Sequence, residues 1–244
     1  MRCRDVAIER EPASRWLAAG LVIAILAAVN VIDIRVPHAT LVAGPVCALG
    51  LPLVGRTAGL SWNDMGLGSG TWRPGLRWAG AEIGLVAVVV AAGAALPLTR
   101  NAFRDTRYQL NLGGALLDAL VLIPVGTVLL EEVAFRGVLW GLLRRARGTA
   151  TATAVTSLLF GLWHALPSLG LASANQAISG TVGSGRSAEL VTVLATMGFT
   201  ALAGVVFCEL RRRSGSLLAP AGLHWAVNGL AVLASTAVWA WGTP

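Results

Sequence analysis

Seven apolar blocks divide the chain, and most of them are long enough to cross a lipid bilayer as a helix. They cover residues 16–32, 39–54, 79–98, 115–140, 150–166, 190–210 and 217–241. A transmembrane helix needs roughly 20 mostly apolar residues, and a helix pairs all of its backbone amides internally, as the lipid interior requires. Only 13% of the residues are charged, against about 25% in a soluble domain. The sequence therefore predicts an all-α fold, a polytopic transmembrane helix bundle of about seven spans.

The arginines predict how this bundle is oriented, because cytoplasmic loops collect positive charge. With seven spans, thirteen arginines fall on one side: Arg2, Arg4, Arg10, Arg15, Arg56, Arg73, Arg77, Arg144, Arg145, Arg147, Arg211, Arg212 and Arg213. Five fall on the other side: Arg35, Arg100, Arg104, Arg107 and Arg186. This distribution predicts a cytoplasmic N-terminus in a multi-pass protein of the cell inner membrane. It also explains the formal charge of +7 without a nucleic-acid partner, and the lipid bilayer is the expected environment.

The fourth block contains three charged residues, Glu131, Glu132 and Arg136. A charged side chain at the centre of a bilayer costs about 2.5 to 3.5 kcal/mol on insertion scales, so such residues are functional candidates. Glu132 and Arg136 have the i, i+4 spacing of a helical ion pair. Glu131 points about 100° away from Glu132 around the helix. One glutamate can therefore be neutralised by Arg136 while the other faces elsewhere, although a purely structural charge cluster remains an alternative.

Two further blocks carry polar residues to a similar depth. His164 ends the fifth block, while His224 and Asn228 lie one helical turn apart in the seventh. At 1.5 Å of rise per residue, Glu131, His164 and His224 lie about 20, 21 and 16 Å from the predicted cytoplasmic boundary. Three helices are thus expected to deliver polar groups to one shared site.

These side chains fit the requirements of peptide hydrolysis, which are an activated water, a proton carrier and donors for the oxyanion. Glu131 can act as the general base, and His164 can orient the water or share the proton. His224 and Asn228 can donate hydrogen bonds to the oxyanion. The chain has no lysine, which excludes a Ser-Lys pair. The predicted catalytic residues are Glu131, Glu132, Arg136, His164, His224 and Asn228.

The same residues form three motifs in order: Glu-Glu-x-x-x-Arg at 131–136, Phe-x-x-x-His at 160–164 and His-x-x-x-Asn at 224–228. In these motifs the chain resembles the CPBP family of intramembrane proteases, which includes CAAX proteases, bacteriocin-processing enzymes and abortive-infection proteins, and whose eukaryotic members are type II CAAX prenyl endopeptidases. The resemblance covers about residues 115–229.

The resemblance implies an intramembrane endopeptidase that acts on peptide or protein substrates at the membrane, through a cavity open to the cytoplasm and the membrane. It also implies that the chain consists of two parts. Residues 1–114 hold a polar N-terminal segment and three spans, and residues 115–244 hold the catalytic core. The chain has arginine but no lysine and is rich in Ala and Gly, a composition typical of bacteria. Prenylated substrates are not expected there.

Metal use and two other functions stay open at this point. Zinc could be held by Glu131, His164 and His224, a ligand set found in catalytic zinc sites. We expect no cofactor, because the HExxH helix is absent and a glutamate that binds the metal is not free to act as the base. A proton-coupled transporter also uses buried Glu and His, and a catalytically silent scaffold or immunity protein would keep the motifs without turnover.

Overall fold

The computed structural model describes residues 12–36 and 38–241, and it is 85% helical, with no strand in these ranges. We number the long helices in chain order: α1 (Pro12–Arg35), α2 (Thr40–Thr57), α3 (Trp72–Ala95), α4 (112–147), α5 (149–163), α6 (Arg186–Ser214) and α7 (Leu218–Trp241). The predicted all-α polytopic bundle is confirmed. The N-terminal arginines Arg2, Arg4 and Arg10 lie outside the described residues.

Helices α4 and α5 form one continuous helical run, Leu112–Trp163, of 52 residues. A straight helix of that length would measure about 78 Å, far more than the roughly 30 Å of a bilayer core. The chain instead reverses at Gly148, where φ is 81° and ψ is 174°, a conformation that strongly favours glycine. The Trp140 indole N–H donates to Thr153 Oγ1 at 3.2 Å across the two arms. The six long apolar helices of the structure therefore amount to seven spans, as the sequence predicts.

Helix α4 departs from α-helical geometry along much of its length. It is π-helical over Asp118–Val128 and again over Glu132–Leu139. The first of these stretches contains Pro124, which has no N–H to donate to the helix. Single π-helical turns occur frequently at functional sites, and here the second stretch begins directly at the paired glutamates.

The connections α2–α3, α4–α5 and α6–α7 meet at one end of the bundle, which we call the Arg-rich end. The Asp64 carboxylate accepts hydrogen bonds from Arg144 at 2.9 Å and from Arg145 at 2.6 Å. Arg211 donates to the carbonyl oxygen of Asp64 at 2.9 Å. Burial alone would raise the pKa of Asp64, but the hydrogen bonds from Ser61 and Arg145 outweigh it and lower the pKa below its ordinary value. The arginines predicted to share one side of the membrane are thus close to one another in the described chain.

The connections α3–α4 and α5–α6 meet at the opposite end. The Asn175 side chain donates to the carbonyl oxygen of Ala102 at 2.9 Å, and the Trp239 indole N–H donates to the carbonyl oxygen of Asp105 at 3.0 Å. The alternation of connections between two ends is the arrangement that seven antiparallel spans produce.

Helix α5 is held between α1 and α6. The Asn30 side chain of α1 donates to the carbonyl oxygen of Trp163 at 2.9 Å. On the other side, a methyl group added at Gly161 would lie 2.5 Å from the carbonyl oxygen of Met197. Only glycine permits this approach of α5 to α6, which places the last turn of α5 deep in the bundle.

Candidate active site

The ion pair predicted within α4 is present and buried. Arg136 Nη1 donates to Glu132 Oε1 at 3.2 Å, and the two side chains are 1% and 2% exposed. The guanidinium carbon lies 3.8 Å from the ring centre of Phe160 and 4.7 Å from that of Phe207. These contacts are cation–π interactions, which strengthen where water is excluded. Arg136 therefore joins α4 to both α5 and α6.

Glu131 faces a different neighbour, as its position on the helix predicts. The Trp163 indole N–H donates to Glu131 Oε1 at 2.8 Å, and Glu131 is only 4% exposed. Its second oxygen, Oε2, accepts no hydrogen bond from the described residues. A buried carboxylate oxygen without a partner is rare and needs an explanation. The indole fixes one oxygen, so the carboxylate is held in place while the other oxygen is left to react.

His224 of α7 contacts both glutamates. Its Nδ1 lies 2.8 Å from Glu132 Oε1, and its Nε2 lies 3.7 Å from Glu131 Oε2. The imidazole stacks on Phe207, with ring centres 5.2 Å apart, and the residue is 4% exposed. A polar separation of 3.7 Å is too long for a direct hydrogen bond and suits a bridging water. Side chains of α4, α5 and α7 therefore meet at Glu131, through Trp163 of α5 and His224 of α7.

His164 and Asn228 are placed less tightly. His164 lies just after α5, and its Nδ1 is 2.8 Å from the carbonyl oxygen of Phe160, which leaves Nε2 for other partners. Both residues are half-buried. Asn228 lies one turn beyond His224 on α7, and its side chain makes no hydrogen bond with the described residues. The structure links Arg136, Glu132, His224 and Glu131 in that order through pairwise contacts, while His164 shares a cavity with Glu131.

That cavity has a volume of about 150 Å³ and is lined by Asn30, Asp33, Thr40, Gly126, Thr127, Glu131, Trp163, His164 and Pro167. Asn30, Asp33 and Trp163 were not among the predicted site residues. Sequence carried a signal for the first two, because Asn30 and Asp33 are polar residues with i, i+3 spacing at the end of the first apolar block. Nothing in the sequence pointed to Trp163, since a tryptophan near a block end usually anchors a helix at the interface.

The cavity lies toward the end of the bundle opposite the Arg-rich end. We call the part of its wall nearest that end, formed by Asp33 near the end of α1, Thr40 at the start of α2 and the exposed Pro167, its mouth. The arginine distribution and the cytoplasmic opening implied by the family resemblance therefore predict opposite orientations for this chain.

Cysteine labelling distinguishes the two orientations. With the native cysteines replaced, a single Cys is introduced at Ser69, exposed near the Arg-rich end, or at Ser184, exposed at the opposite end. We expect an impermeant maleimide to label Ser184→Cys in intact cells and Ser69→Cys only after the membrane is permeabilised, because arginine-rich loops remain in the cytoplasm. The reverse pattern would place the cavity mouth on the cytoplasmic side.

The described residues offer no ready metal centre. No three His, Cys, Asp or Glu side chains among them come together as a set that could hold an ion. Glu131 and His224 approach each other, but His164 does not complete a three-donor group with them. The donor geometry of this chain therefore does not fit the zinc site considered from sequence.

Comparison with known proteins supports the family resemblance. Residues 113–230 match the family model described as type II CAAX prenyl endopeptidase Rce1-like. This range nearly coincides with residues 115–229, over which the motifs resemble the CPBP family. No curated protein and no solved structure matches the chain significantly. The matched segment contains all of the predicted site residues, and the structure is that of a multi-pass membrane protein. Residues 113–230, a little under half of the chain, are therefore similar to the type II CAAX prenyl endopeptidase Rce1-like family, in agreement with the resemblance that the motifs indicate.

Proposed function

We propose that this chain hydrolyses peptide bonds within the membrane with a water activated by Glu131. The observation that carries the proposal is the unequal environment of the two Glu131 oxygens. Oε1 is held by Trp163 at 2.8 Å, whereas Oε2 is buried, accepts no hydrogen bond from the described residues and faces His224 Nε2 at 3.7 Å. A water between Oε2 and the imidazole would be within reach of a base.

We assign His224 to bind the oxyanion, a role that requires a hydrogen on each of its ring nitrogens. Its Nδ1–H donates to Glu132, which is itself paired with Arg136, and its Nε2–H then points toward Glu131. This N–H is available to the oxyanion of a tetrahedral intermediate. Glu132 and Arg136 act as positioning residues, since they hold the imidazole rather than contact the substrate.

The reaction proceeds in two steps. The water oxygen attacks the peptide carbonyl carbon while its proton moves to Glu131 Oε2, and the oxyanion accepts a hydrogen bond from His224. The C–N bond then breaks as Glu131 returns the proton to the amine nitrogen. We assign His164 Nε2 to orient the water, because His164 lines the same cavity and its Nδ1 is occupied by Phe160. Asn228, one turn from His224, is assigned as a second oxyanion donor.

The proposed substrates are peptide or protein segments at the inner membrane of a bacterium. The cavity of about 150 Å³ holds roughly five water volumes of 30 Å³, which is room for the peptide unit under attack rather than for a longer segment. The division of the chain into residues 1–114 and 115–244 is retained as a proposal, with α1 and α2 contributing Asn30, Asp33 and Thr40 to the cavity wall.

Peptide profiling tests the function directly. Membrane and secreted peptides are compared between cells that carry the wild-type chain and cells that carry Glu131→Gln at equal protein level. We expect a set of cleaved termini to be present only with the wild-type chain, because the amide cannot accept a proton. Identical peptide profiles would contradict proteolysis and favour proton-coupled transport or a silent scaffold.

Metal dependence is tested on the purified chain. We propose a metal-free mechanism, so activity should survive prolonged treatment with a strong chelator, and elemental analysis should give well under one zinc per chain. Stoichiometric zinc, with activity lost on chelation and restored by added zinc, would contradict this mechanism and reassign Glu131, His164 and His224 as ligands.

A further inference from the structure

Asp33 places a second carboxylate in the cavity that contains Glu131. It lies one helical turn after Asn30 near the end of α1, it is half-buried, and it lines the cavity at its mouth. Its Oδ1 accepts a hydrogen bond from the backbone N–H of Thr40, the first residue of α2, at 3.3 Å. A long bond of this kind leaves most of the carboxylate available to a ligand.

The cavity wall has a negative electrostatic character. Its charged residues are Asp33 and Glu131, and none of the described residues that line it is an arginine. The buried cation Arg136 is paired with Glu132 and packs against the rings of Phe160 and Phe207. Glu131, which lines the same wall, is 4% exposed, and its Oε2 has no hydrogen-bond partner among the described residues.

We propose that Asp33 selects substrates with a lysine or arginine side chain close to the scissile bond. The inference rests on the proposed function, because it assumes that Glu131 attacks a peptide bound in this cavity. A basic side chain at the mouth would pair with Asp33 in a partly water-excluded space, where charge pairs are stronger than at an open surface. A substrate with a carboxylate in the same position would be repelled by it.

The matching substitution is Asp33→Asn. The amide oxygen of Asn still accepts the hydrogen bond from Thr40, so the start of α2 stays supported while the negative charge is removed. Asp33→Glu keeps the charge on a longer side chain. Asp118→Asn makes the same chemical change in α4 at a half-buried position outside the cavity wall and serves as the control.

The experiment profiles cleavage of a proteome-derived peptide library by the purified full-length chain in detergent, with mass spectrometry. We expect wild-type cleavage sites to be enriched in Lys or Arg within two residues of the scissile bond. The enrichment should fall at least about fivefold in Asp33→Asn, as expected for the loss of a close charge pair. It should persist in Asp33→Glu and Asp118→Asn.

The outcomes distinguish a failure of this inference from a failure of the proposed function on which it rests. Wild-type cleavage without a preference for basic residues, or a preference unchanged in Asp33→Asn, would overturn the proposed role of Asp33. Neither result would contradict the proposed protease function. Cleavage that persists in Glu131→Gln, or no cleavage by any variant, would instead overturn the proposed function. The wild-type profile alone tests the inference even if Asp33→Asn does not fold.

Discussion

Glu131→Gln should lower the cleavage rate by about a thousandfold while the chain stays folded. A general base typically contributes about 10² to 10⁴ in rate, and glutamine cannot take the proton from the water. The amide oxygen can still accept the hydrogen bond that Trp163 donates to Glu131 Oε1, so the local packing is kept. Initial rates on any peptide from the cleaved set, measured beside thermal melting of the purified chain, would check both parts.

A control variant and a stability measurement are needed to interpret the rate of Glu131→Gln. Asp118→Asn changes a carboxylate in the same helix away from the cavity and should keep near wild-type rates. If Glu131→Gln also retains near-normal proteolysis, the base lies elsewhere, and Glu132 becomes the next candidate. A variant that loses activity together with its melting transition would show a folding defect, and it would not count in favour of a base.

Arg136→Ala should destabilise the chain by about 3 to 5 kcal/mol, the usual cost of breaking a buried ion pair from one side. The change leaves Glu132 buried at 2% exposure without its partner. It also removes the cation that packs against Phe160 and Phe207, so α5 and α6 lose a common contact. Lower expression and a lower thermal midpoint in detergent would be the measured effects.

Matched variants locate the cause of that loss. Arg144→Ala breaks a partly exposed pair with Asp64 and should cost about 1 kcal/mol or less. The double variant Glu132→Gln with Arg136→Met removes both charges and keeps most of the volume, so it should recover much of the stability. Equal melting points for Arg136→Ala and Arg144→Ala would contradict the importance of the buried pair.

Sequence predicted the helical spans well, because lipid leaves the backbone few choices, and the charged residues within those spans were conspicuous as candidates. The spacing of Glu132 and Arg136 was enough to predict their bond, since both lie in one helix. The partners of Glu131 were not predictable in this way. Trp163 reaches it only because the chain reverses at Gly148, and Asn30 and Asp33 reach the cavity only through the packing of α1 against α5. Such contacts depend on tertiary structure, which one-dimensional periodicity does not encode.

The hairpin of α4 and α5 also has a consequence for biogenesis. Helices emerge from the ribosome in order, so Glu131, Glu132 and Arg136 enter the membrane before α7 has been synthesised to deliver His224. The hairpin alone already provides partners for these charged side chains. Arg136 pairs with Glu132 within α4, and Trp163 donates to Glu131 across the turn at Gly148. The hairpin can therefore be inserted before the site is complete, and the proposed active site forms only when α7, the last helix, is inserted.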